Sequence, residues 1–312
     1  MRNAALAAAA SLVGGCERAP ASPHGQLRIA TGGPGGVYYV YGQGLAEAVR
    51  QDLPGLTATV MTTGASVDNL RMLAAGTAEV AFALADSAAA AMRGEPPFDS
   101  ALSIAALARL YENCLHVVVL ANGPIQHLDD LAGRRVSLGA SGSGTELTAG
   151  RLLAVAGLDP ARDMTALHYG VDDSARALAE RRLDAFFFSG GLPTGAIVTL
   201  FRMAAIHLLD VGQLVVRLRK RYGELYSERT IPVSAYGLVD PVPTVGVANY
   251  LVVPASFDGE LAYRLTRLLF ERRELLASAH PEARRLDHWS AIGTYPVSLH
   301  PGAVRYYREA KR

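Results

Sequence analysis

The sequence from residue 135 to residue 145 is RVSLGASGSGT, a strand-like run that leads into a turn of glycines and hydroxyl side chains. A helical spacing of apolar residues follows, at Leu152, Leu153 and Val155. The first N–H groups of a helix have no partner within it, and the helix dipole adds positive charge there. Such a unit can bind a carboxylate or phosphate without lysine or arginine. The alternative is that the turn only starts a helix, with Ser143 or Thr145 as N-cap.

The chain repeats this strand–turn–helix pattern along most of its length. A second glycine-rich turn, TGGPGG at residues 31–36, follows the first strand-like run. Strands are predicted at residues 27–31, 56–61, 79–84, 135–138, 166–169, 185–188 and 245–253, and helices at 38–51, 66–75, 128–132, 173–181, 260–277 and 302–310. Two further apolar runs lie at residues 103–108 and 116–120. Short strands that alternate with helices indicate parallel sheets with crossover connections, and therefore an α/β fold. The apolar run 185–188 predicts a central strand covered on both faces.

The order of these elements predicts two lobes around a cleft. A second block with the same pattern begins near residue 122, and the long strand at 245–253 can return to the first block. We therefore expect residues 26–121 and 240–312 to form lobe 1 and residues 122–239 to form lobe 2. An interrupted first lobe with an inserted second lobe is the layout of periplasmic binding proteins, whose ligand lies between the lobes.

Residues 1–15 are predicted to be a signal peptide of the lipoprotein type. Arg2 precedes a short apolar run, and LVGGC at residues 12–16 resembles a bacterial lipobox. Lipidation of Cys16 would leave residues 16–25 as a flexible tether. The prediction is a body anchored outside the cytoplasm, in the periplasm or at the cell surface. The alternative is an ordinary signal peptide that ends near Cys16.

Charge and cysteine content exclude several classes of function. The chain has 312 residues, a net charge of +1 and no basic run interleaved with aromatic residues, which argues against binding nucleic acid. Its second cysteine, Cys114, has no intramolecular partner if Cys16 is lipidated, and its apolar neighbours predict a buried thiol. After the leader, no apolar stretch is long enough to span a membrane.

The glycine–serine turns do not carry the motifs of an enzyme. The sequence around Ser141 and Ser143 lacks the Gly-x-Ser-x-Gly spacing of a hydrolase nucleophile. Leu147 stands where a dinucleotide-binding turn needs its third glycine. The eight histidines are scattered without metal-ligand spacing. We therefore expect no catalytic residues, no metal and no cofactor.

Six ordered motifs resemble the TAXI subgroup of solute-binding proteins, which serve tripartite ATP-independent periplasmic (TRAP) transporters. The motifs are IATGGPGGVYY at 29–39, TGASVDNL at 63–70, the turn at 135–145, DAFFFSGGLP at 184–193, IP at 231–232 with Tyr236 and VPTV at 242–245, and LHPGA at 299–303 with Tyr306 and Tyr307. The resemblance implies a type II periplasmic-binding-protein fold, a small carboxylate ligand such as glutamate, 2-oxoglutarate or another dicarboxylate, and TRAP membrane subunits as partners. Pro34 departs from the family, which usually has a hydroxyl residue there.

The predicted ligand-binding residues come from strand ends and helix starts in both lobes. In lobe 1 they are Thr31, Gly33, Gly36, Tyr38, Thr63, Gly64, Ser66, Asn69 and Asp86; in lobe 2 they are Ser141, Gly142, Ser143, Gly144, Thr145, Ser189, Gly190, Gly191 and Tyr236. Some have equally ordinary roles: Ser66 can be a plain N-cap, Asp86 can cap the next helix, and Tyr38 can be a core aromatic. Only one of Tyr38 and Tyr39 can face the cleft, because adjacent helical residues point about 100° apart.

The expected mechanism is capture by closure of the two lobes. The ligand carboxylate would bind the N–H groups of residues 141–145, and its distal part would meet the lobe 1 turns at residues 31–39 and 63–66. The closed form would then deliver the ligand to the membrane subunits. The alternative is a lipid-anchored sensor on the same fold that signals to a membrane kinase, since both functions need the same cleft.

Overall fold

The computed structural model describes residues 25–311. The signal peptide, Cys16 and the tether up to residue 24 lie outside the described residues, and Gly25 already begins the first strand. The strands are β1 (Gly25–Ala30), β2 (Leu56–Met61), β3 (Val80–Leu84), β4 (Ile104–Leu120), β5 (Arg135–Ser137), β6 (Thr165–Leu167), β7 (Ala185–Gly190), β8 (Ile206–Leu208), β9 (Tyr226–Ile231) and β10 (Val242–Pro254).

Helices follow most of the strands. They are α1 (Val37–Asp52), α2 (Ser66–Ala74), α3 (Ala85–Arg93), α4 (Gly144–Ala156), α5 (Pro160–Asp163), α6 (Val171–Ala179), α7 (Gly195–Met203), α8 (Val215–Tyr222), α9 (Val233–Tyr236), α10 (Gly259–Glu271), α11 (Arg273–Ala279), α12 (His288–Ala291) and α13 (Pro301–Glu309). Short 3₁₀ helices lie at Leu128–Leu131, Gly212–Leu214 and Pro281–Arg285. None of the helices in the described part of the chain is both long and apolar enough to cross a membrane.

The strands form one mixed sheet in the order β2-β1-β3-β10-β4-β7-β5-β6, with β8 paired to β4 and β9 to β10. Its two ends are parallel: β1 pairs with β2 and β3, and β5 pairs with β6 and β7. The prediction of parallel pairing is therefore correct at the ends but wrong for the centre, where β10 and β4 run antiparallel to their neighbours. We call β1–β3 with α1–α3 the first half, and β5–β7 with α4, α6 and α7 the second half.

Two long strands, β4 and β10, run through both halves. The sequence shows two separate apolar runs at 103–108 and 116–120, but one strand, β4, is continuous from Ile104 to Leu120. The polar residues between the two runs do not interrupt it, because each is paired. Glu112 contacts Arg109 and Arg229, and Asn113 donates to the Ser189 carbonyl at 3.0 Å. The strand β10 returns from the second half and pairs with β3, as the sequence predicted.

Two predicted helices differ from the structure. The helix predicted at 260–277 is divided at Arg272, whose ψ of 21° is not helical and whose guanidinium pairs with Asp52 of α1. The helix predicted at 128–132 is a 3₁₀ helix in which His127 and Asp130 form a capping box. Both differences are tertiary or capping effects that apolar periodicity does not register.

The sheet is covered on both faces by these helices. Residues 185–187 of β7 are fully buried between β4 and β5, which confirms a central strand. Cys114 is buried with a free thiol, also as predicted. On the first half, Tyr41 and Leu45 of α1 are fully buried in the core. The assignment of residues 26–121 and 240–312 to one lobe and of 122–239 to the other remains a prediction.

Candidate functional site

A cavity of about 210 Å³ lies between the two halves at the starts of four helices. Its walls come from the first turns of α1 and α2 in the first half and of α4 and α6 in the second. The floor includes Tyr111 and Asn113 of β4 and the end of β7. The carboxyl ends of β1, β2, β5 and β6 lead into these helices, which is where open α/β sheets bind ligands.

The cavity brings together ten of the predicted site residues. They are Gly33, Gly36, Tyr38, Thr63, Gly64, Ser66, Gly144, Thr145, Ser189 and Gly190. The other eight lie close by but do not line it: Thr31, Asn69, Asp86, Ser141, Gly142, Ser143, Gly191 and Tyr236. Tyr38 lines the cavity and Tyr39 does not, which is the arrangement that their helical spacing requires.

The cavity is lined by helix starts and contains no lysine or arginine. Three of the four helices have no side-chain cap: the N-cap residues of α1, α2 and α6 are Gly36, Ala65 and Gly170. Most of their first N–H groups are therefore available, although the Asp68 N–H of α2 donates to the Gly142 carbonyl at 3.0 Å, and each helix dipole adds positive charge at that end. Asp172 and Asp173 also line the cavity, so it contains negative charge as well.

The turn at 141–145 uses part of its hydrogen-bonding capacity internally. The Gly142 N–H donates to Glu146 Oε2 at 2.8 Å, and the Glu146 N–H donates to Ser143 Oγ at 3.0 Å. Ser143 is thus the N-cap of α4, which is the alternative role that the sequence allowed. In the described residues, the N–H groups of Gly144 and Thr145 have no hydrogen-bond partner. The Ser141 N–H likewise has no partner among the described residues, but Ser141 does not line the cavity, so the N–H groups of Gly144 and Thr145 are the ones left for a ligand there.

Several glycines of the predicted site allow the two halves to approach each other. A Cβ on Gly144 would lie 2.7 Å from Ser66 Oγ and from Leu84 Cδ1, both in the first half. A Cβ on Gly64 would lie 2.3 Å from the Ser141 carbonyl oxygen. Gly64 and Gly144 were predicted to bind the ligand. In the structure they also lie where the two halves come into close contact.

A hydrogen bond crosses the mouth of the cavity. The Gly35 N–H donates to Asp172 Oδ2 at 3.0 Å, and a Cβ on Gly35 would lie 2.3 Å from the same carboxylate. Further along the edge, the Leu192 N–H donates to Glu282 Oε1 at 2.9 Å. Burial raises the pKa of Glu282. The Gly35–Asp172 hydrogen bond therefore joins the two halves, and the Leu192–Glu282 hydrogen bond ties the segment after β7 to the 3₁₀ helix Pro281–Arg285.

Asp86 lies in a buried network outside the cavity. Its carboxylate accepts from Thr148 Oγ1 at 2.8 Å and from the Tyr226 hydroxyl at 3.2 Å. Arg151 Nη1 lies 3.9 Å from Asp86 Oδ2. These three neighbours come from α4 and β9, so Asp86 links α3 of the first half to α4 of the second, and its carboxylate does not line the cavity.

Thr31, Asn69 and Tyr236 also have structural partners. Asn69 Nδ2 donates to the carbonyls of Thr31 and Phe82, at 2.6 and 2.8 Å, and so ties α2 to the ends of β1 and β3. The Tyr236 hydroxyl lies 2.9 Å from His116 Nε2 and accepts from the Thr194 N–H at 3.0 Å. Burial lowers the pKa of His116 to about 4, so its imidazole is neutral at pH 7.

A family model described as the NMT1-like family matches residues 29–310. The chain belongs to the NMT1-like family. The match covers every residue that lines the cavity, and of the two halves it leaves out only the first four residues of β1.

Solved structures similar to this NMT1-like chain share its fold at low identity. One is the periplasmic aliphatic sulphonate binding protein SsuA from Escherichia coli (16% identity, TM-score 0.51, covering 92% of this chain and 84% of that one). Another is an ancestral arginine-binding protein bound to arginine (15%, 0.50, 83% and 98%). A third comes from a study of glutathione import through GshT and the cystine ABC importer TcyBC of Streptococcus mutans (11%, 0.52, 82% and 95%). The fold is that of periplasmic binding proteins.

Sequence reasoning made no prediction for two asparagines beneath the cavity of this NMT1-like chain. Asn113 and Asn249 occupy the buried middles of β4 and β10, and Asn249 Nδ2 donates to Asn113 Oδ1 at 2.6 Å. Asparagine is uncommon in strands, and a buried amide must find partners. An asparagine within an apolar strand is thus a signal that sequence reasoning can use. In the described residues, no group of three or more side chains could hold a metal ion.

Proposed function

We propose that the protein is an extracytoplasmic solute-binding protein that captures a small carboxylate between its two halves and delivers it to a TRAP membrane permease. The observation that carries this proposal is the convergence of four helix N-termini, two from each half, on one cavity. A site built from both halves is occupied best when they are closed, so ligand capture and closure are coupled.

The size and polarity of the cavity support a small anion. Its volume of about 210 Å³ is below the roughly 300–1,000 Å³ of typical ligand pockets. The available N–H groups of Gly144 and Thr145 suit one carboxylate, and the Thr145 hydroxyl can add a third donor. A similar fold is described as an aliphatic sulphonate binding protein, and a sulphonate is also an organic anion.

The transporter partner and the location are supported by sequence. The six ordered motifs resemble the TAXI subgroup, whose partners are TRAP membrane subunits that use an ion gradient. The lipobox at residues 12–16 supports a signal peptide and a lipid anchor at Cys16, which would keep the protein beside its permease. One similar fold comes from a study of an ABC importer, so ATP-driven delivery is the competing outcome.

Calorimetry after a thermal-shift screen of carboxylates, amino acids and sulphonates tests the ligand. A ligand at about 100 times its Kd should add about 2.7 kcal/mol to the free energy of unfolding. The variant Thr145→Val should then weaken binding of the carboxylate about tenfold or more, because a charge-assisted hydrogen bond is lost. Thr199→Val, an exposed threonine of α7 outside the cavity, is the matched control. A cation or neutral compound as the only binder would refute the ligand class.

Uptake measurements test the partner. Cells that express the protein with its permease should lose uptake of the bound carboxylate when the ion gradient is dissipated. Loss of uptake only on depletion of ATP would contradict a TRAP permease and favour an ABC importer.

A further inference from the structure

A chain of hydrogen bonds runs along the cavity wall from the first half to the second. It begins where the Leu84 N–H donates to Ser66 Oγ at 3.0 Å, and Ser66 Oγ lies 3.5 Å from the Tyr38 hydroxyl. The Tyr38 hydroxyl donates to Asn249 Oδ1, and Asn249 Nδ2 donates to Asn113 Oδ1. Asn113 Nδ2 then donates to the Ser189 carbonyl, and the Ser189 N–H donates to Thr145 Oγ1 at 3.1 Å.

Backbone groups fix the direction of this chain. The Ser189 carbonyl can only accept, so the amide nitrogen of Asn113 must face it and the amide oxygen must face Asn249. Asn249 therefore turns its nitrogen toward Asn113 and its oxygen toward Tyr38. The amide oxygen of Asn249 can only accept, so the Tyr38 hydroxyl must donate its hydrogen to it. The Ser189 carbonyl therefore determines the orientation of both amides, whose nitrogen and oxygen atoms do not have to be distinguished by other means.

The direction makes the two walls of the cavity chemically different. In the first half, the hydrogen of Tyr38 is committed to Asn249, and Ser66, which accepts from the Leu84 N–H, directs its hydrogen at the Tyr38 oxygen. Burial raises the pKa of Tyr38, so this hydroxyl stays protonated. In the second half, the Thr145 oxygen accepts from Ser189, which leaves the hydrogen of Thr145 free to donate. Among the side chains of this chain of hydrogen bonds, Tyr38 and Ser66 of the first half thus offer acceptors, and Thr145 of the second half offers a donor.

We propose that the ligand carries a hydrogen-bond donor, a hydroxyl or an amine, that faces Tyr38 and Ser66 while its carboxylate faces α4. Asn113 and Asn249 are positioning residues that set this preference from beneath the cavity. The inference rests on the proposed function, because it assumes that a carboxylate binds in this cavity. A ligand with a keto oxygen at the same place would face two committed acceptors and lose binding.

Calorimetry with four matched dicarboxylates tests the preference: L-glutamate, 2-hydroxyglutarate, 2-oxoglutarate and glutarate. The amino or hydroxy acid should bind about tenfold or more tightly than the oxo acid. Equal or tighter binding of the oxo acid would overturn the inference and leave the proposed function standing. Binding of none of the four, with binding of a non-carboxylate from the screen, would overturn the proposed function and the inference with it.

The variant Asn249→Ala tests the positioning role. It frees the hydrogen of Tyr38 to turn toward a keto oxygen, so the ratio of the two dissociation constants should fall to about twofold or less. Thr266→Ala removes an equally buried hydroxyl far along α10 and should leave the ratio unchanged. If Asn249→Ala does not fold, Asn249→Ser replaces it, since its shorter side chain also releases Tyr38. If the ratio of the two dissociation constants stays at about tenfold or more in the folded Asn249 variant, the proposed role of this chain of hydrogen bonds is refuted.

Discussion

Replacing Gly144 by alanine should block ligand binding without weakening the fold. Gly144 is the first residue of α4, and its φ lies outside the left-handed region, so the helix itself accepts a Cβ. In the closed arrangement that Cβ would lie 2.7 Å from Ser66 Oγ and from Leu84 Cδ1. Both neighbours belong to the first half and are almost fully buried, at 1% and 2% exposure. Ser66 and Leu84 therefore cannot make room for the Cβ unless the two halves move apart.

The size of the effect follows from overpacking. Forcing an extra methyl group into a packed contact costs about 1–3 kcal/mol. Because the cost falls only on the closed form, the Kd of the carboxylate should rise by roughly 5- to 150-fold. The free energy of unfolding of the ligand-free protein should stay unchanged or rise, since alanine is a better helix former than glycine.

Gly150→Ala is the matched control in the same helix. A Cβ at Gly150 would meet nothing within 4 Å, so binding should be unchanged while helix α4 gains stability. Calorimetry gives the two dissociation constants, and chemical denaturation gives the two free energies of unfolding. Equal affinities for the Gly144 and Gly150 variants would refute the reasoning that binding requires this close approach of the halves.

Three further predictions concern contacts between and beneath the halves. Asp172→Ala removes the hydrogen bond from the Gly35 N–H and should speed ligand release several-fold in stopped-flow measurements. Asp173→Ala, at its exposed neighbour, should leave the release rate unchanged. Equal release rates for the two variants would refute a role for Asp172 in holding the halves closed. The free energy of unfolding should fall by up to about 3 kcal/mol between pH 6.5 and pH 4, because the unfolded chain protonates His116 while burial lowers its pKa in the fold to about 4. Denaturation of His116→Gln should show a flatter profile, and an unchanged slope would contradict the assignment. Asp86→Ala should cost about 3–5 kcal/mol of stability, and the double variant with Arg151→Met should cost less, since a lone buried charge is worse than none; equal losses would argue against a coupled pair.

The helices and parallel strands were predictable because each is a local pattern. Apolar periodicity defined α1 and α2 within one or two residues, and the apolar run at 185–188 identified the central strand β7. The continuity of β4 was not predictable, because Glu112 and Asn113 look like an interruption. Their partners, Arg229 and Ser189, come from distant parts of the chain.

The sequence predicted where the site lies better than it predicted which contacts its residues make. Helix starts and glycine turns identified the right region, since backbone N–H groups at helix N-termini follow from secondary structure. The roles of single residues depend on partners across the cleft. Asp86 pairs with Arg151, the Ser143 hydroxyl caps α4 by accepting from the Glu146 N–H, and Gly144 lies against Ser66. Local sequence patterns do not predict any of these contacts.

A crystal structure of the protein with the tightest carboxylate from the screen is the most direct test of carboxylate capture at α4. We expect one carboxylate within hydrogen-bond distance of the N–H groups of Gly144 and Thr145, enclosed between the two halves. A ligand bound elsewhere, or bound in the cavity with its carboxylate away from α4, would contradict it.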